Sequence, residues 1–103
     1  MNKEDIYQDA RNAFGTDLQM IILAEECSEL SKATLKLVRF GIEPWDNSDL
    51  IGKLAEEIAD VRLMIEQAEY MFAIKEEVKK IEKEKLERLE DRIRRHNDEV
   101  LLS

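Results

Sequence analysis

Apolar residues recur three and four positions apart along most of the chain, which is the spacing of amphipathic α-helices. Gly15 and Gly41 stand where the first two helices should end. No glycine or proline separates the third helix from the fourth, so the pattern permits either a turn near Ala73–Lys75 or one unbroken rod. We predict four helices, at roughly Lys3–Phe14, Leu18–Phe40, Asp49 to beyond Tyr70, and Lys75–Asn97.

Polar residues between these segments indicate how the helices begin. Thr16 or Asp17 can supply the capping oxygen of the second helix, and Asn47 or Ser48 that of the third. The stretch 42–47 contains the one proline of the chain, and it is therefore predicted to be a loop.

The composition agrees with an all-α fold. Three glycines and one proline in 103 residues are too few for the turns of a sandwich, a barrel or a doubly wound sheet. Ala, Glu, Lys, Leu and Arg supply 52 residues, a bias that is typical of long helices. We expect residues 1–103 to form one domain with a four-helix, bundle-like architecture.

The charge and the apolar pattern limit the partners of the protein. The net charge of −8 disfavours nucleic acid, because phosphate binding needs a basic face. No window approaches the ~18 apolar residues of a membrane span, and the N-terminal residues lack the apolar segment of a secretory signal. A lone cysteine, Cys27, suits a reducing compartment. We expect a cytoplasmic protein that binds neither nucleic acid nor membrane.

Four acidic residues occupy unexpected positions on the helical wheels of the second and third helices. Glu26 and Glu57 lie inside the apolar arcs, while Glu29 and Asp60 lie at their edges, three residues further on. A buried carboxylate must be paired with a cation or bind a metal. If the two helices face each other antiparallel, the four acids converge, and oxygen-only ligands suit Mg²⁺ or Mn²⁺. The alternative is that these acids pair with Lys or Arg from another helix, or cover core edges in an oligomer.

These acids form a recognisable pair of motifs. Residues 25–29 read E-E-x-x-E and residues 57–60 read E-x-x-D. The pair resembles the signature of the MazG-like, all-α nucleotide pyrophosphohydrolases, a superfamily that includes all-α dUTPases, dCTP pyrophosphatases and phosphoribosyl-ATP pyrophosphohydrolases. The segment 85–93 is similar to the last-helix pattern of that family, in which a Lys and an Arg seven positions apart face the phosphates.

The resemblance implies an activity and roles for individual residues. The reaction would be cleavage of a nucleoside triphosphate between the α and β phosphates, giving a monophosphate and pyrophosphate. By the same resemblance, Mg²⁺ would be the cofactor and the chain would assemble as a homodimer or homotetramer. The implied metal ligands are Glu26, Glu29, Glu57 and Asp60; Glu25 or Glu56 would orient or deprotonate water; Lys85, Arg88 and Arg92 would contact phosphates.

Two residues bear on the substrate. Many members of the family have Asn where this chain has Leu89, so the resemblance leaves one phosphate contact without a counterpart and does not define the base or sugar. Trp45, in the predicted loop, is a candidate for stacking on a base, and the alternative is an aromatic side chain that covers the end of the helices.

Two other classes of helical protein share features with this chain. The charged last segment is also typical of a non-catalytic helical interaction or regulatory module, with its Lys and Arg residues forming a solvated face. A di-iron carboxylate bundle requires Glu-x-x-His pairs on two helices. The one histidine, His96, is far from the acids in sequence, which excludes that class.

Overall fold

The computed structural model describes residues 1–41 and 47–103, and these residues form four α-helices. The helices are α1 (Lys3–Phe14), α2 (Thr16–Phe40), α3 (Ser48–Phe72) and α4 (Lys75–Leu102). The all-α prediction is therefore confirmed, and the predicted turn at residues 73–75 is present in place of a continuous rod. The fourth helix extends five residues beyond its predicted end.

One residue joins α1 to α2, which corrects the predicted cap. The N–H of Gly15 donates to the Arg11 carbonyl at 2.8 Å, and the Gly15 carbonyl accepts from the Gln19 N–H at 3.2 Å. Gly15 is thus both the C-cap of α1 and the N-cap of α2, and no side chain makes a capping hydrogen bond at the start of α2. Its φ of +82° favours glycine, and a helix that already includes Thr16 cannot be capped by Thr16 or Asp17.

The third helix begins where its capping residues were predicted. The Asn47 carbonyl accepts from the Ile51 N–H at 3.0 Å, and the Asn47 side chain donates to the Gly41 carbonyl at 2.6 Å. This second bond links the end of α2 to the start of α3. The rest of the predicted loop lies outside the described residues.

The chain divides into two compact units, residues 1–72 and residues 73–103, each described here by itself. In the first unit, α2 packs along α3, and α1 contacts both. The prediction of one domain over residues 1–103 stays a prediction. The buried apolar side chains of the first unit are Tyr7, Ala33, Val61, Met64 and Met71.

Polar contacts fix α1 to α3. The Tyr7 hydroxyl donates to the Glu66 carboxylate, which also pairs with Lys3 at 3.0 Å. Burial, followed by the bond to Glu66, raises the pKa of Tyr7 to about 12. The Tyr70 hydroxyl donates to Gln8 at 2.8 Å, and the two tyrosine rings lie 6.2 Å apart. These bonds and the ring contact join α1 to α3.

The apolar arc predicted for α2 is wider than the surface that the first unit buries. Ala33 is buried and Leu30 is half-buried, but Leu35 and Val38 are largely exposed. Cys27, predicted to pack in the core, is exposed as well. Most of the contacts of α2 are with α3, which covers one stripe of its surface. A helical wheel gives the width of an apolar arc but not the part of it that neighbouring helices cover.

The residue that ends α3 suggests a stabilising substitution. Ala73 has a φ of +53°, a left-handed conformation that costs an alanine ~1–2 kcal/mol and costs glycine little. Glycine also makes the unfolded chain more flexible, which offsets part of this gain. Ala73→Gly should therefore raise the free energy of unfolding by about 0.5–1 kcal/mol. Chemical denaturation measures this, with Ala55→Gly in the exposed interior of α3 as the control, expected to destabilise by ~1 kcal/mol. Equal destabilisation by both changes would contradict the prediction.

Candidate metal centre

The α2–α3 contact brings three carboxylates together. Each of Glu26, Glu57 and Asp60 offers an oxygen, and these oxygens all lie within 4.8 Å of one another. Glu57 and Asp60 share one face of α3 because they are three residues apart. Glu26 faces them from α2. The predicted convergence of acids across two helices is thus present for three of the four.

The three acids differ in burial. Glu57 is 4% exposed, Glu26 is half-buried and Asp60 is exposed. The helical wheels distinguished Asp60, at the edge of its apolar arc, from Glu26 and Glu57 inside theirs, but not Glu26 from Glu57. The cluster therefore extends from a buried carboxylate to one that solvent reaches.

Lys53 neutralises part of this charge. Its ammonium lies 2.8 Å from Glu57 Oε1 and 3.7 Å from a Glu56 oxygen. The bond to Glu57 is the main cause of the raised pKa of Lys53. The alternative interpretation required a cation from another helix, whereas Lys53 belongs to α3 itself. Its side chain is about half exposed, so it can release Glu57 to another cation without being left buried.

Glu26 carries the clearest electrostatic effect of the cluster. Its pKa is raised, first by desolvation and then by the negative charges of Asp60 and Glu57. Glu29 and Glu25 add smaller contributions of the same sign. The charged form of Glu26 is therefore disfavoured without a cation, and a divalent ion at this point would remove the repulsion.

The donor set fits a hard divalent cation. All three ligand atoms are carboxylate oxygens from two helices, and Mg²⁺ and Mn²⁺ prefer such oxygens. Mg²⁺ normally retains several waters and uses few protein carboxylates. Asp60 is exposed, so solvent water has access to this end of the cluster.

The other predicted acids lie around this trio. Glu29 is exposed and pairs with Lys32 at 3.3 Å, so it is outside the group of three converging oxygens. Glu25 and Glu56 are exposed, as expected of residues on the outer faces of their helices. They are next in sequence to Glu26 and Glu57, but they are not among the three acids whose oxygens converge.

The predicted phosphate contacts belong to the second unit. Lys85, Arg88 and Arg92 lie on one face of α4, spaced three and four residues apart. Together with Asp91 and Arg95 they line a surface groove of this helix. All three are exposed. Trp45 lies outside the described residues.

The sequence analysis overlooked three polar residues of the α2–α3 contact. Lys53 was detectable, since it precedes Glu57 by four residues and an i,i+4 pair shares a helix face. Gln19 and Gln67 are buried, 3% and 9% exposed. Each is seven residues from a cluster acid, and therefore on the same face, but a glutamine carries no charge that marks it as unusual.

No protein-family model matches the chain, and no curated protein or solved structure matches it either. Among the described residues, no helix combines the length and the apolarity needed to cross a membrane.

The raised pKa of Glu26 predicts how stability depends on pH. The pKa of Glu26 is higher in the folded protein than in the unfolded chain, so the folded protein binds this proton more tightly. Ionised Glu26 therefore lowers the stability of the fold, and this loss develops as the pH rises from the unfolded pKa through the folded one. In EDTA, Glu26→Gln should raise the melting temperature at pH 7, and the gain should shrink toward pH 4. Thermal melts test this, with exposed Glu82→Gln as the control. A gain that does not change with pH would contradict it.

Proposed function

We propose that the protein is a Mg²⁺-dependent nucleoside triphosphate pyrophosphohydrolase of the MazG-like, all-α type, acting in the cytoplasm. The observation that carries the proposal is the cluster of Glu26, Glu57 and Asp60, with oxygens within 4.8 Å and one carboxylate almost completely buried. Such a group is costly unless a cation compensates it. The single half-exposed ammonium of Lys53 offsets only one of its three charges.

The acids have separate roles in this proposal. Glu26, Glu57 and Asp60 hold Mg²⁺, with Mn²⁺ as a possible replacement, and Glu29 joins them if it leaves Lys32. The ion supplies a polarised water and neutralises phosphate charge. Glu25 or Glu56 orients that water or accepts its proton. Their exposure supports this role, because a group that exchanges protons with solvent must be reached by it.

The basic face of α4 binds the phosphates in this proposal. The groove of Lys85, Arg88 and Arg92 concentrates positive charge in a protein whose net charge is −8. Arginine forks match phosphate oxygens geometrically, and such contacts stabilise the charge that develops in the transition state.

Assembly as a homodimer or homotetramer follows the same resemblance. The first unit leaves large apolar side chains of both long helices exposed, among them Ile21, Leu35, Val38 and Ile65. Apolar surface of this kind is typical of a face that another chain covers.

The central test is pyrophosphate release from a panel of nucleoside triphosphates, with Mg²⁺ and with EDTA. Glu26→Gln and Glu57→Gln should each remove at least ~99% of turnover, since losing a charge-stabilising group costs ~2.7–4 kcal/mol. Glu82→Gln, on an exposed face of α4, should retain wild-type activity. Comparable activity in all three variants would refute the assignment of the metal centre.

The phosphate contacts are tested separately. Arg92→Gln should lower kcat/KM by roughly tenfold or more, because a hydrogen bond to a charged group contributes ~1.5–3 kcal/mol. Arg94→Gln is the matched control, since Arg94 already pairs with Glu90 at 3.2 Å and Asp91 at 3.6 Å. An equal loss in both variants would mean that only the general charge of α4 matters.

A second candidate is a non-catalytic helical interaction module. One observation favours it: no residue of α4 is buried, and Leu86, Leu89 and Ile93 form an exposed apolar stripe. Such a stripe suits a partner helix. Absence of pyrophosphate release from every triphosphate, with Mg²⁺ bound, would favour this function over catalysis.

A further inference from the structure

An apolar groove lies on the first unit, beside the acidic cluster. Its walls include Phe14, Ile22, Leu63 and Met64, and two buried amides, Gln19 and Gln67, also line it. Its volume is about 300 Å³, at the lower end of the range for small-molecule sites. Apolar walls with a few convergent polar groups are characteristic of a site that holds a flat, partly polar ligand.

The two amides are available for hydrogen bonds. Gln19 Oε1 is buried and has no hydrogen-bond partner among the described residues. Gln67 donates its amide to the Met64 sulfur at 3.2 Å, and a thioether is a weak acceptor that a better one readily replaces. Leaving a buried acceptor unsatisfied costs ~1–3 kcal/mol.

The groove is also at a defined distance from the acids. Gln19 precedes Glu26 by seven residues on α2, and Gln67 follows Asp60 by seven on α3. Seven residues of helix are ~10.5 Å, two turns on the same face. The acids of α2 and α3 meet, and the amides of the same two helices line one groove. Because Gln19 precedes its acid and Gln67 follows its acid, α2 and α3 run antiparallel. Both amides therefore lie on the same side of the acidic cluster.

We infer that this groove binds the nucleobase of the substrate, with Gln19 and Gln67 pairing with its polar edge. A carboxamide presents an acceptor beside a donor, which complements the adjacent donor and acceptor of a base. The apolar walls hold the flat faces of the ring. The separation from the carboxylates suits a nucleotide whose base and phosphates lie at opposite ends. This inference rests on the proposed function, and it assigns substrate binding to residues outside the acidic motifs.

Base binding is measured without catalysis. In EDTA, ¹⁵N-labelled protein is titrated with cytidine, uridine, adenosine and guanosine, and the side-chain amide signals of Gln19, Gln67 and Gln8 are followed. At least one nucleoside should shift the signals of Gln19 and Gln67. The signal of Gln8, which bonds to Asn12 and Tyr70, should not move. Ribose 5-phosphate and tripolyphosphate, which lack a base, should not shift the groove signals.

Variants then test the two amides. Gln19→Leu should weaken nucleoside binding at least ~10-fold, the effect of losing about 1.4 kcal/mol. It should melt no lower than wild type, because the replaced oxygen has no partner to lose. Gln67→Leu should weaken binding similarly, whereas Gln8→Leu should leave it unchanged. Unaltered binding in both groove variants, or an effect of Gln8→Leu equal to theirs, would overturn the inference.

The outcomes separate this inference from the proposed function. If no nucleoside shifts the groove amides while wild type releases pyrophosphate, the base-binding inference is wrong and the enzymatic proposal stands. If nucleosides bind the groove but no triphosphate is cleaved, the groove is a nucleoside site and the enzymatic proposal is wrong. If neither occurs, both are wrong.

Discussion

The burial of the Glu57 carboxylate between α2 and α3 is the constraint on which the rest of the first unit depends. Removing a charge from water costs several kcal/mol, and the neighbouring Glu26 and Asp60 add repulsion. The bond from Lys53 makes this arrangement possible in the metal-free protein. One ammonium against three carboxylates leaves the cluster with excess negative charge.

Polar groups continue along the contact between these helices. Gln19 and Gln67 are buried in it two turns from the acids, where apolar residues would stabilise the fold better. An interior that contains an unpartnered amide oxygen and clustered carboxylates is less stable than an apolar one of the same shape. Proteins accept such a loss at functional sites, so the polar residues of this contact favour a ligand-binding role for it.

The remaining polar contacts hold the site in position. Tyr7 and Tyr70 join α1 to α3 through Glu66 and Gln8. At the other end, the Asn47 side chain joins the end of α2 to the start of α3. The tyrosine bonds thus restrain α1 against α3, and the Asn47 bond links the two helices that carry the acids.

The sequence by itself determined the helices and the positions of the acids, because helical periodicity is local and a carboxylate within an apolar arc is conspicuous. It placed Glu57 inside the apolar arc of the third helix and Asp60 at the edge of that arc, and in the structure Glu57 is buried and Asp60 exposed. It also placed Glu26 inside an apolar arc, and this residue is only half-buried. Only the tertiary structure decided what each side chain meets. Glu29 lies outside the converging trio, Cys27 is exposed, and Gln19 Oε1 has no hydrogen-bond partner among the described residues, since these outcomes depend on the rotation of α2 against its neighbours. The cap at Gly15 also required the structure, because a one-residue link forces a backbone angle that the usual capping residues avoid.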